Sequence, residues 1–443
     1  MMTNSRVWSW VPTLYVAEAV PYVAVNVLTV LMYTQLDVDL VSMTFYTGWL
    51  YLPWVIKPFW SPFVDIFSTK RKWVLAMQLL MGVAFSLVAL TIPTNIFFAT
   101  TLALFWFAAF CSATHDIAAD GYYMLALTDH QQAAFTGLRN TAYRVGSLLV
   151  SGVLVYWVGV LQEGGGTTHE AIVRSWTLAF WVIGLAVLGL ALYHIFLLPK
   201  VPRDTPAREK NVAQILRNFG ATFATFFTKP GIVGALVFIL LYRLPEALCI
   251  KLVVPFLNAS RAEGGLGMTA SQIGFANGTV GVVALLLGGI IGGLAIARGG
   301  LKKWLYPMAL SLTLPCVLYC VLAMAQPATD TWGLVLINAA IFVEQFGYGF
   351  GFTAFMLYLI YFSEGKWKTS HYAFCTGFMA LGMMLPGMAA GWLHEQMQTL
   401  HLFSATGPQG YINFFWLVVL CSLVTLLSCT LIKINPHFGR KSA

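Results

Sequence analysis

The sequence predicts an all-α membrane protein with twelve transmembrane helices. Two observations support this prediction: the composition, and the length and spacing of the apolar segments. Of the 443 residues, 59% are hydrophobic and 9% are charged, whereas about a quarter of the residues in soluble domains are charged. A spanning helix needs about 20 apolar residues, and the chain contains a long series of such segments. This composition excludes an ordinary soluble fold.

The apolar segments follow one another with mostly short connections, and no soluble domain fits between them. We number them as segments 1 to 12, at 7–34, 40–64, 73–92, 96–127, 134–160, 174–198, 231–257, 271–297, 303–325, 332–362, 370–393 and 411–433. The longest predicted cytoplasmic connection, rich in Pro, Lys and Arg, divides them six and six, as in transporters built from parallel repeats. We predict an N-terminal six-helix bundle (1–198), a cytoplasmic linker (199–230) and a C-terminal six-helix bundle (231–443).

Segments 1 and 7 show traces of the repeat. Both contain Leu-Tyr followed by Glu-Ala, at Leu14–Ala19 and Leu241–Ala247. Both also contain interior prolines, which are Pro12, Pro21, Pro245 and Pro255. Proline removes a backbone hydrogen bond, so both segments are expected to bend. A bend suits gating, and a static kink fixed by packing is the equal alternative.

The basic residues outside the segments alternate between the two sides of the predicted bilayer. One set of connections and the termini hold nearly all of them, and the opposite set holds Arg174 and Arg261. The positive-inside rule then places both termini and the linker in the cytoplasm. The net charge of +8 is therefore a topology signal, and no nucleic-acid partner is predicted.

The N-terminal part of the sequence lacks a short apolar run followed by a cleavage site. Segment 1 is therefore predicted to be an uncleaved anchor in a bacterial inner membrane.

Charged side chains inside the segments point to transport. The acids are Glu18, Asp65, Asp116, Asp120, Glu246 and Glu344, and the bases are Lys57, Arg139, Arg144, Arg243 and Lys251. A charge in hydrocarbon costs several kcal/mol, so such groups usually pair and face an aqueous pathway. This predicts a transporter of a small-molecule substrate, surrounded by membrane lipid. The alternative for any one pair is that it only fixes helix register.

The sequence favours transport over catalysis. All seven cysteines lie in hydrophobic segments without metal-ligand spacing. No group of His, Cys or Ser with a supporting acid is placed near a membrane face. These features disfavour a membrane enzyme, such as an acyltransferase, and no cofactor or metal is predicted.

Two carboxylates of segment 4 are predicted to couple ion movement to transport. Asp116 and Asp120 are four residues apart and therefore lie on one helix face. The next turn is centred near residue 131, and in antiparallel helices residues at equal distances from their turn lie at equal depth. By this depth comparison Arg144 is level with the gap between the two aspartates. Arginine stays protonated, so it can hold one carboxylate ionised while the other changes protonation state. The same comparison across a turn near residue 37 places Glu18 level with Lys57 and predicts an ion pair.

Segment 7 offers a third pair, because Arg243 and Glu246 are three residues apart and can meet on one face. Glu344 has no partner in its own helix, and Arg243 or Lys251 can supply one. The coupling and ion-pair candidates are Asp116, Asp120, Arg144, Glu18, Lys57 and Glu344. The substrate-cavity candidates are Arg243, Glu246, Arg139, Asn140, Tyr143, His115 and Gln345. A histidine on a helix is more often a hydrogen-bonded packing residue than a binding residue, so packing is the alternative role of His115.

Asp65 lies at the cytoplasmic end of segment 2 and is followed by the basic run Lys70–Lys72. A carboxylate with nearby bases can cap an adjoining helix end and latch two halves together. Asp65 and Arg71 are therefore predicted to form a cytoplasmic gate. A solvated charged loop is the equal alternative.

Two groups of glycines have different expected roles. Gly288, Gly289, Gly292 and Gly293 give small-xxx-small spacings, which predict close helix packing. Gly347, Gly349 and Gly351 do not form a phosphate loop, because no strand precedes them and no Lys-Ser/Thr follows. They are expected to loosen or thin segment 10 beside the cavity.

Several motifs resemble those of one transporter family. Lys57–Asp65 is similar to the family's Lys-x-x-Trp-Ser-Pro-x-x-Asp, and Phe110–Ile117 with Asp120 is similar to its Phe-Cys-Ser-Ala-Ser-Gln-Asp-Ile and later Asp. Tyr143-Arg144 and Leu241–Ala247 continue a likeness that spans most of the segments. The chain resembles the AmpG muropeptide permease family of the major facilitator superfamily.

The resemblance implies a major facilitator fold of two six-helix bundles. It also implies proton-coupled import of N-acetylglucosaminyl-anhydromuropeptides by alternating access, which feeds peptidoglycan recycling. Three features depart from the family: His115 replaces Gln, Glu18 stands in a region that is small and uncharged there, and the loops with Gly164–Gly166 and 394–410 are longer. Because these features touch the predicted cavity, the second hypothesis is a major facilitator transporter of another oligosaccharide or amphiphile, coupled to protons or sodium.

Overall fold

The computed structural model describes residues 7–205, 212–365, 368–400 and 410–439. Within these ranges the chain is almost entirely helical and contains no strand. Eleven of the described helices are long and apolar enough to cross a bilayer. The predicted all-α membrane architecture is confirmed.

The helices are numbered α1 to α14 in chain order. The first seven are α1 (Val11–Gln35), α2 (Leu40–Trp49), α3 (Leu52–Phe67), α4 (Lys70–Thr91), α5 (Phe97–Ala126), α6 (Asp129–Leu148 continuing through Leu149–Leu154 and Val155–Gly164) and α7 (His169–Leu197). The others are α8 (Val212–Phe227), α9 (Ile232–Asn258), α10 (Ala270–Gly299), α11 (Leu301–Ala325), α12 (Thr331–Phe362), α13 (Lys368–Gln398) and α14 (Gly410–Thr430). Predicted segments 1 and 3 to 12 correspond to α1, α4 to α7 and α9 to α14.

Predicted segment 2 is two shorter helices rather than one. Helix α2 ends at Trp49, and α3 begins at Leu52. The ring of a proline clashes with the carbonyl four residues earlier, and for Pro53 that carbonyl belongs to Trp49. A turn bond from the amide of Tyr51 to the carbonyl of Gly48, at 3.2 Å, bridges the break.

Some spanning helices depart from regular α-helical geometry. Helices α1, α6 and α10 each contain a π-helical stretch, at Ala24–Leu28, Leu149–Leu154 and Gly274–Gly281. Such stretches are rare and often occur at functional sites. Because a π-helical turn takes in extra residues, the side chains on either side of it are rotated relative to a regular helix.

Prolines have two effects in the repeated segments 1 and 7. Helix α9 is interrupted between Ile232–Leu241 and Leu244–Asn258. Pro245 is four residues after Leu241, so in a regular helix its ring would clash with the carbonyl of Leu241. Pro12 instead lies in the first turn of α1, where no intrahelical bond to its nitrogen is needed. The expectation that Pro12 bends segment 1 is therefore wrong.

Contacts within the chain group it into two units. Unit 1 comprises 1–36 and 56–221, and unit 2 comprises 37–55 and 222–443. In unit 1, α4 packs against both α5 and α7, and α1 packs against α6. In unit 2, α12 packs against α10 and α11, and α13 packs against α2 and α9. The division into bundles 1–198 and 231–443 stays a prediction.

A buried aromatic core in unit 1 positions the charged residues of α1 and α5. The rings of Trp10 and Tyr122 meet edge to face at 5.2 Å, and Tyr122 donates to the carbonyl of Pro199 at 2.6 Å. Tyr15 and Tyr123 belong to the same core and meet at 5.9 Å. This packing fixes the rotation of α1 against α5.

Glycines permit the close packing of α10 on α12 in unit 2. A Cβ on Gly288 would overlap the carbonyl oxygen of Phe346. A Cβ on Gly349 would overlap the carbonyl oxygen of Leu285 from the opposite side. Close packing is thus confirmed for Gly288. Helix α12 is continuous over Thr331–Phe362, so its glycines do not loosen it. They do thin it, since a Cβ on Gly347, Gly349 or Gly351 would overlap a neighbouring carbonyl oxygen.

Candidate functional site

Unit 1 contains a group of charged side chains, which we call the carboxylate cluster. It consists of Glu18 from α1, Lys57 from α3, Asp116 and Asp120 from α5, and Arg139 from α6. One carboxylate oxygen from each of the three acids lies within 4.8 Å of the other two. The four-residue spacing of the aspartates puts both on the face of α5 that meets α1.

Lys57 pairs with Asp116. Its Nζ forms an ion pair with Oδ2 of Asp116, and the two side chains are 21% and 17% exposed. The predicted pairing of Lys57 with Glu18 is wrong. The depth comparison assumed regular helices between the turn and each residue, whereas α1 contains the π-helical stretch Ala24–Leu28 and the chain breaks between α2 and α3.

Arg139 pairs with Asp120, with 2.7 Å between Nη2 and Oδ1. Arg144, which the sequence predicts to lie beside the aspartates, has no ion pair in the described part of the chain. The turn lies earlier than predicted because Thr128 already caps α6, accepting from the amide of Gln131 at 3.3 Å. This Thr-x-x-Gln capping box was readable in the sequence.

Tyr15 completes the surroundings of Asp120. Its hydroxyl donates to Oδ1 of Asp120 at 3.2 Å. Its ring also lies under the guanidinium of Arg139, with 4.4 Å from Cζ to the ring centroid, and Tyr123 flanks the same guanidinium at 5.7 Å. Tyr15 was not a predicted site residue, although its place in the repeated Leu-Tyr motif was a signal.

Glu18 is the acid of the cluster that lacks a donor. Its Oε2 is buried and has no hydrogen-bond partner among the described residues. With all groups ionised, three carboxylates against the charges of Lys57 and Arg139 leave one negative charge. A proton or a monovalent cation can neutralise it. The three oxygens suit a hard cation, but the ammonium of Lys57 and the guanidinium of Arg139 in the same cluster repel a divalent ion.

His115 lies in the protein interior, in a chain of buried polar groups. Its Nε2 is 2.9 Å from Nε2 of Gln78, and Oε1 of Gln78 is 2.9 Å from Nδ1 of His194. Nε2 of His194 is in turn 2.9 Å from Oγ1 of Thr13. The chain links α5, α4, α7 and α1. Gln78 and His194 were not predicted, although each is a polar residue inside an apolar segment.

Arg243 and Glu246 form the ion pair that their spacing predicts. The guanidinium makes two bonds to the carboxylate, from Nε at 2.8 Å and from Nη2 at 2.5 Å. Nη2 also donates to the hydroxyl of Tyr348 at 3.1 Å, and Cζ lies 4.8 Å from the ring centroid of Phe352. This bidentate pair satisfies both charges within unit 2.

Glu344 accepts neutral donors instead of a predicted cation. Its Oε2 accepts from the hydroxyl of Tyr319 at 3.1 Å and from the amide of Gln345 at 2.8 Å. Lys251 bonds Thr47 instead, with 3.1 Å between Nζ and Oγ1. The expectation that Arg243 or Lys251 pairs with Glu344 is therefore wrong.

The remaining candidates have different surroundings. Asn140 is exposed, and Tyr143 is half-buried. The side chain of Asp65 lies outside the described residues. Arg71 donates to the carbonyls of Leu198 at 2.9 Å and Ile195 at 2.7 Å, within unit 1. A guanidinium at the end of α7 stabilises its C-terminal carbonyls.

A comparison with family models identifies the fold family. The model of the Major Facilitator Superfamily matches residues 13–390. The chain belongs to the Major Facilitator Superfamily. It is a transporter and not an enzyme, and the twelve-helix fold predicted for segments 1 to 12 is that of this superfamily.

Similar proteins place the chain near the AmpG permeases. A protein named Anhydromuropeptide permease, from Escherichia coli (strain K12), is 28% identical over 378 residues, which are 83% of this chain and 70% of that protein. A Putative transporter AmpG 4, from Rickettsia conorii, is 23% identical over 391 residues, covering 85% of this chain and 84% of that protein. The chain is thus an AmpG-like member of the superfamily, as its motifs indicated.

Solved structures agree on the fold. A D-xylose-proton symporter superposes with a TM-score of 0.70 at 12% identity, covering 99% of each chain. A nucleoside transporter, NupG (D323A mutant), superposes with a TM-score of 0.67 at 15% identity, covering 97% of this chain and all of the other. At these identities the likeness concerns the fold alone.

Proposed function

We propose that this protein imports anhydromuropeptides with protons, by alternating access, and so feeds peptidoglycan recycling in a bacterial inner membrane. The observation that carries the proposal is the carboxylate cluster, where three acids meet two bases in a bundle of spanning helices. The similarity to a protein named as an anhydromuropeptide permease supports the substrate class.

Proton coupling follows from the charge of the cluster. Asp116 and Asp120 each hold a cation, so the unmatched negative charge falls to Glu18. Protonation of one carboxyl makes the cluster neutral overall. We assign the proton to the cluster as a whole, with Glu18 as the acid whose free oxygen receives it, because coupled carboxyls share a titration. A sodium ion is the alternative ligand for the same oxygens.

The same charge links the proton to the conformational change. Sealing a net charge away from water costs several kcal/mol, so the unprotonated cluster favours a conformation that admits water. The protonated cluster can be sealed, and the bundles 1–198 and 231–443 can then rock about the bound substrate. Release of the proton on the cytoplasmic side disfavours return of the loaded transporter, and the empty transporter returns to complete the cycle. Substrate therefore accumulates in the direction of the proton gradient.

Polar and aromatic groups of unit 2 suit the two parts of a muropeptide. Arg243, with Glu246, and Gln345 can hydrogen-bond sugar hydroxyls and amides. Tyr348 lies within 3.1 Å of the guanidinium and offers a ring for a sugar face. Arg139, Asn140 and Tyr143 of unit 1 are also proposed to contact substrate, and Glu344 is proposed as a second protonation site.

The orientation is proposed from the basic residues. Both termini and the linker 199–230 face the cytoplasm under the positive-inside rule, with Asp65 and Arg71 on that side as the gate. A C-terminal fusion to a reporter that folds only in the cytoplasm should fluoresce. The same reporter inserted after Gly165 should stay dark.

The direct test is uptake by proteoliposomes that contain the purified full-length protein. Labelled N-acetylglucosaminyl-anhydromuropeptide should accumulate under an inward proton gradient and should only equilibrate without one. Equal accumulation under an inward sodium gradient would assign the coupling to sodium. Strong competition by free oligosaccharides lacking the peptide would favour the second hypothesis, a saccharide importer. No gradient-dependent uptake of any of these would refute the proposal.

A further inference from the structure

Lys251 is a buried amine in the second part of α9, Leu244–Asn258. It is 2% exposed, and its Nζ donates to Oγ1 of Thr47 at 3.1 Å. The hydroxyl of Thr47 donates to the carbonyl of Met43 at 2.7 Å, so it acts as the acceptor for the ammonium. The ring of Tyr51 lies 5.4 Å from Nζ. These contacts come from helix α2 and from the turn that follows it.

Lys251 differs from the other bases of the proposed transport pathway. Lys57, Arg139 and Arg243 each pair with a carboxylate. Among the described residues no carboxylate forms an ion pair with Lys251. A hydroxyl and an aromatic ring compensate an ammonium poorly, and a charge inside a membrane bundle usually marks a substrate or ion pathway. Lys251 therefore has the chemistry to bind an anion.

The helices around Lys251 pack closely, and no ion pair joins them in the described part of the chain. Gly387 of α13 lies against the stem of Lys251, since a Cβ there would be 3.4 Å from Cγ and 3.5 Å from Cε. A Cβ on Gly48 would overlap Met388, and a Cβ on Gly391 would overlap Thr44. Helix α2 thus covers Lys251 through glycine contacts, which can separate without breaking an ion pair.

We propose that the ammonium of Lys251 binds a carboxylate of the transported molecule, and that Thr47 holds its place when no substrate is bound. This rests on the proposed function. Both residues lie in unit 2, so the carboxylate of the substrate replaces Thr47 at the ammonium. An anion compensates the charge of the ammonium better than a hydroxyl does. A single ammonium matches the single charge of a carboxylate, and the peptide of a muropeptide carries such groups.

The test compares two forms of one labelled ligand in proteoliposomes under an inward proton gradient. One is N-acetylglucosaminyl-anhydromuropeptide with free peptide carboxyls, and the other has these carboxyls converted to primary amides. The wild-type protein should prefer the free acid by roughly tenfold or more in KM, as expected for a charge-assisted bond. Lys251→Met should transport both forms with the same, weaker KM. Lys251→Arg should retain the preference.

Lys229→Met is the matched control. Lys229 is also a lysine of unit 2, but its Nζ donates to the carbonyls of Phe362, the last residue of α12, and of Glu364 beyond it. This variant should keep the preference for the free acid. Lys251→Met should fold, because removing an unmatched buried charge does not destabilise a core, and its melting temperature should equal or exceed that of the wild type.

The outcomes separate the two proposals. If wild-type protein transports acid and amide alike under the gradient, the Lys251 proposal is wrong and the proposed function stands. If Lys251→Met keeps the full preference, the carboxylate binds elsewhere and the proposal is also wrong. If neither ligand shows gradient-dependent uptake, the proposed function fails, and the carboxylate site that rests on it fails too.

Discussion

Arg139 and Tyr15 donate to the same oxygen atom of Asp120, at 2.7 Å and 3.2 Å, while the guanidinium lies over the tyrosine ring. This arrangement holds Asp120 from two helices, α1 and α6. Asp116 is held by Lys57 from α3. Glu18 stands beside both pairs with a buried oxygen that has no donor in the described part of the chain.

Glu18→Gln should uncouple transport from the proton gradient. The amide imitates the protonated acid, so the cluster stays neutral overall and cannot release a proton. We expect counterflow exchange of labelled substrate to continue and gradient-driven accumulation to fall by about tenfold or more. Glu170→Gln, a change in the first turn of α7, should leave both activities unchanged. Undiminished accumulation by Glu18→Gln would transfer the coupling role to another carboxyl.

The pairing of Lys57 with Asp116 predicts the outcome of a double-mutant cycle. Lys57→Met and Asp116→Asn should each lower the free energy of unfolding, by up to about 3–5 kcal/mol, because each leaves a charge without its partner. The double variant should recover most of the loss in thermal unfolding of the detergent-solubilised protein. Lys57→Met combined with Glu18→Gln should recover less. The reverse order would contradict the pairing described here.

The buried chain through Gln78 predicts a stability effect. Gln78→Leu leaves the imidazoles of His115 and His194 each without their shared partner. An unsatisfied buried polar group costs about 1–3 kcal/mol, so the melting temperature should fall clearly. Ser86→Ala on the same helix should change the melting temperature little, since among the described residues the hydroxyl of Ser86 bonds only the carbonyl of Gly82. Equal melting temperatures would show that the chain does not stabilise unit 1.

The packing of α10 on α12 predicts opposite effects for two glycines of one helix. Gly288→Ala should destabilise the protein, because its Cβ would overlap the carbonyl oxygen of Phe346. Gly293 has nothing within 4 Å of a Cβ, so Gly293→Ala should be neutral or stabilise by up to about 1 kcal/mol. Thermal unfolding measures both. A stable Gly288→Ala variant would argue against this close approach.

The sequence by itself determined the features that depend on composition and on one helix. Apolar length fixed eleven of the spans, and helical periodicity put Asp116 and Asp120 on one face and brought Arg243 to Glu246. These outcomes follow because residues three or four apart in a helix are neighbours wherever that helix lies. The motifs around Lys57 and Asp116 indicated the AmpG-like family for the same reason, since they are local.

Only the tertiary structure decided which charges meet between helices. The depth of a residue depends on every turn and irregularity between it and the loop, so the π-helical stretch in α1, the break before Pro53 and the early start of α6 each shifted a partner. Thus Lys57 met Asp116, Arg139 took the place expected for Arg144, and Lys251 bonded Thr47. A charged residue in a spanning helix is expected to have a partner, but the packing of the helices determines which residue that partner is.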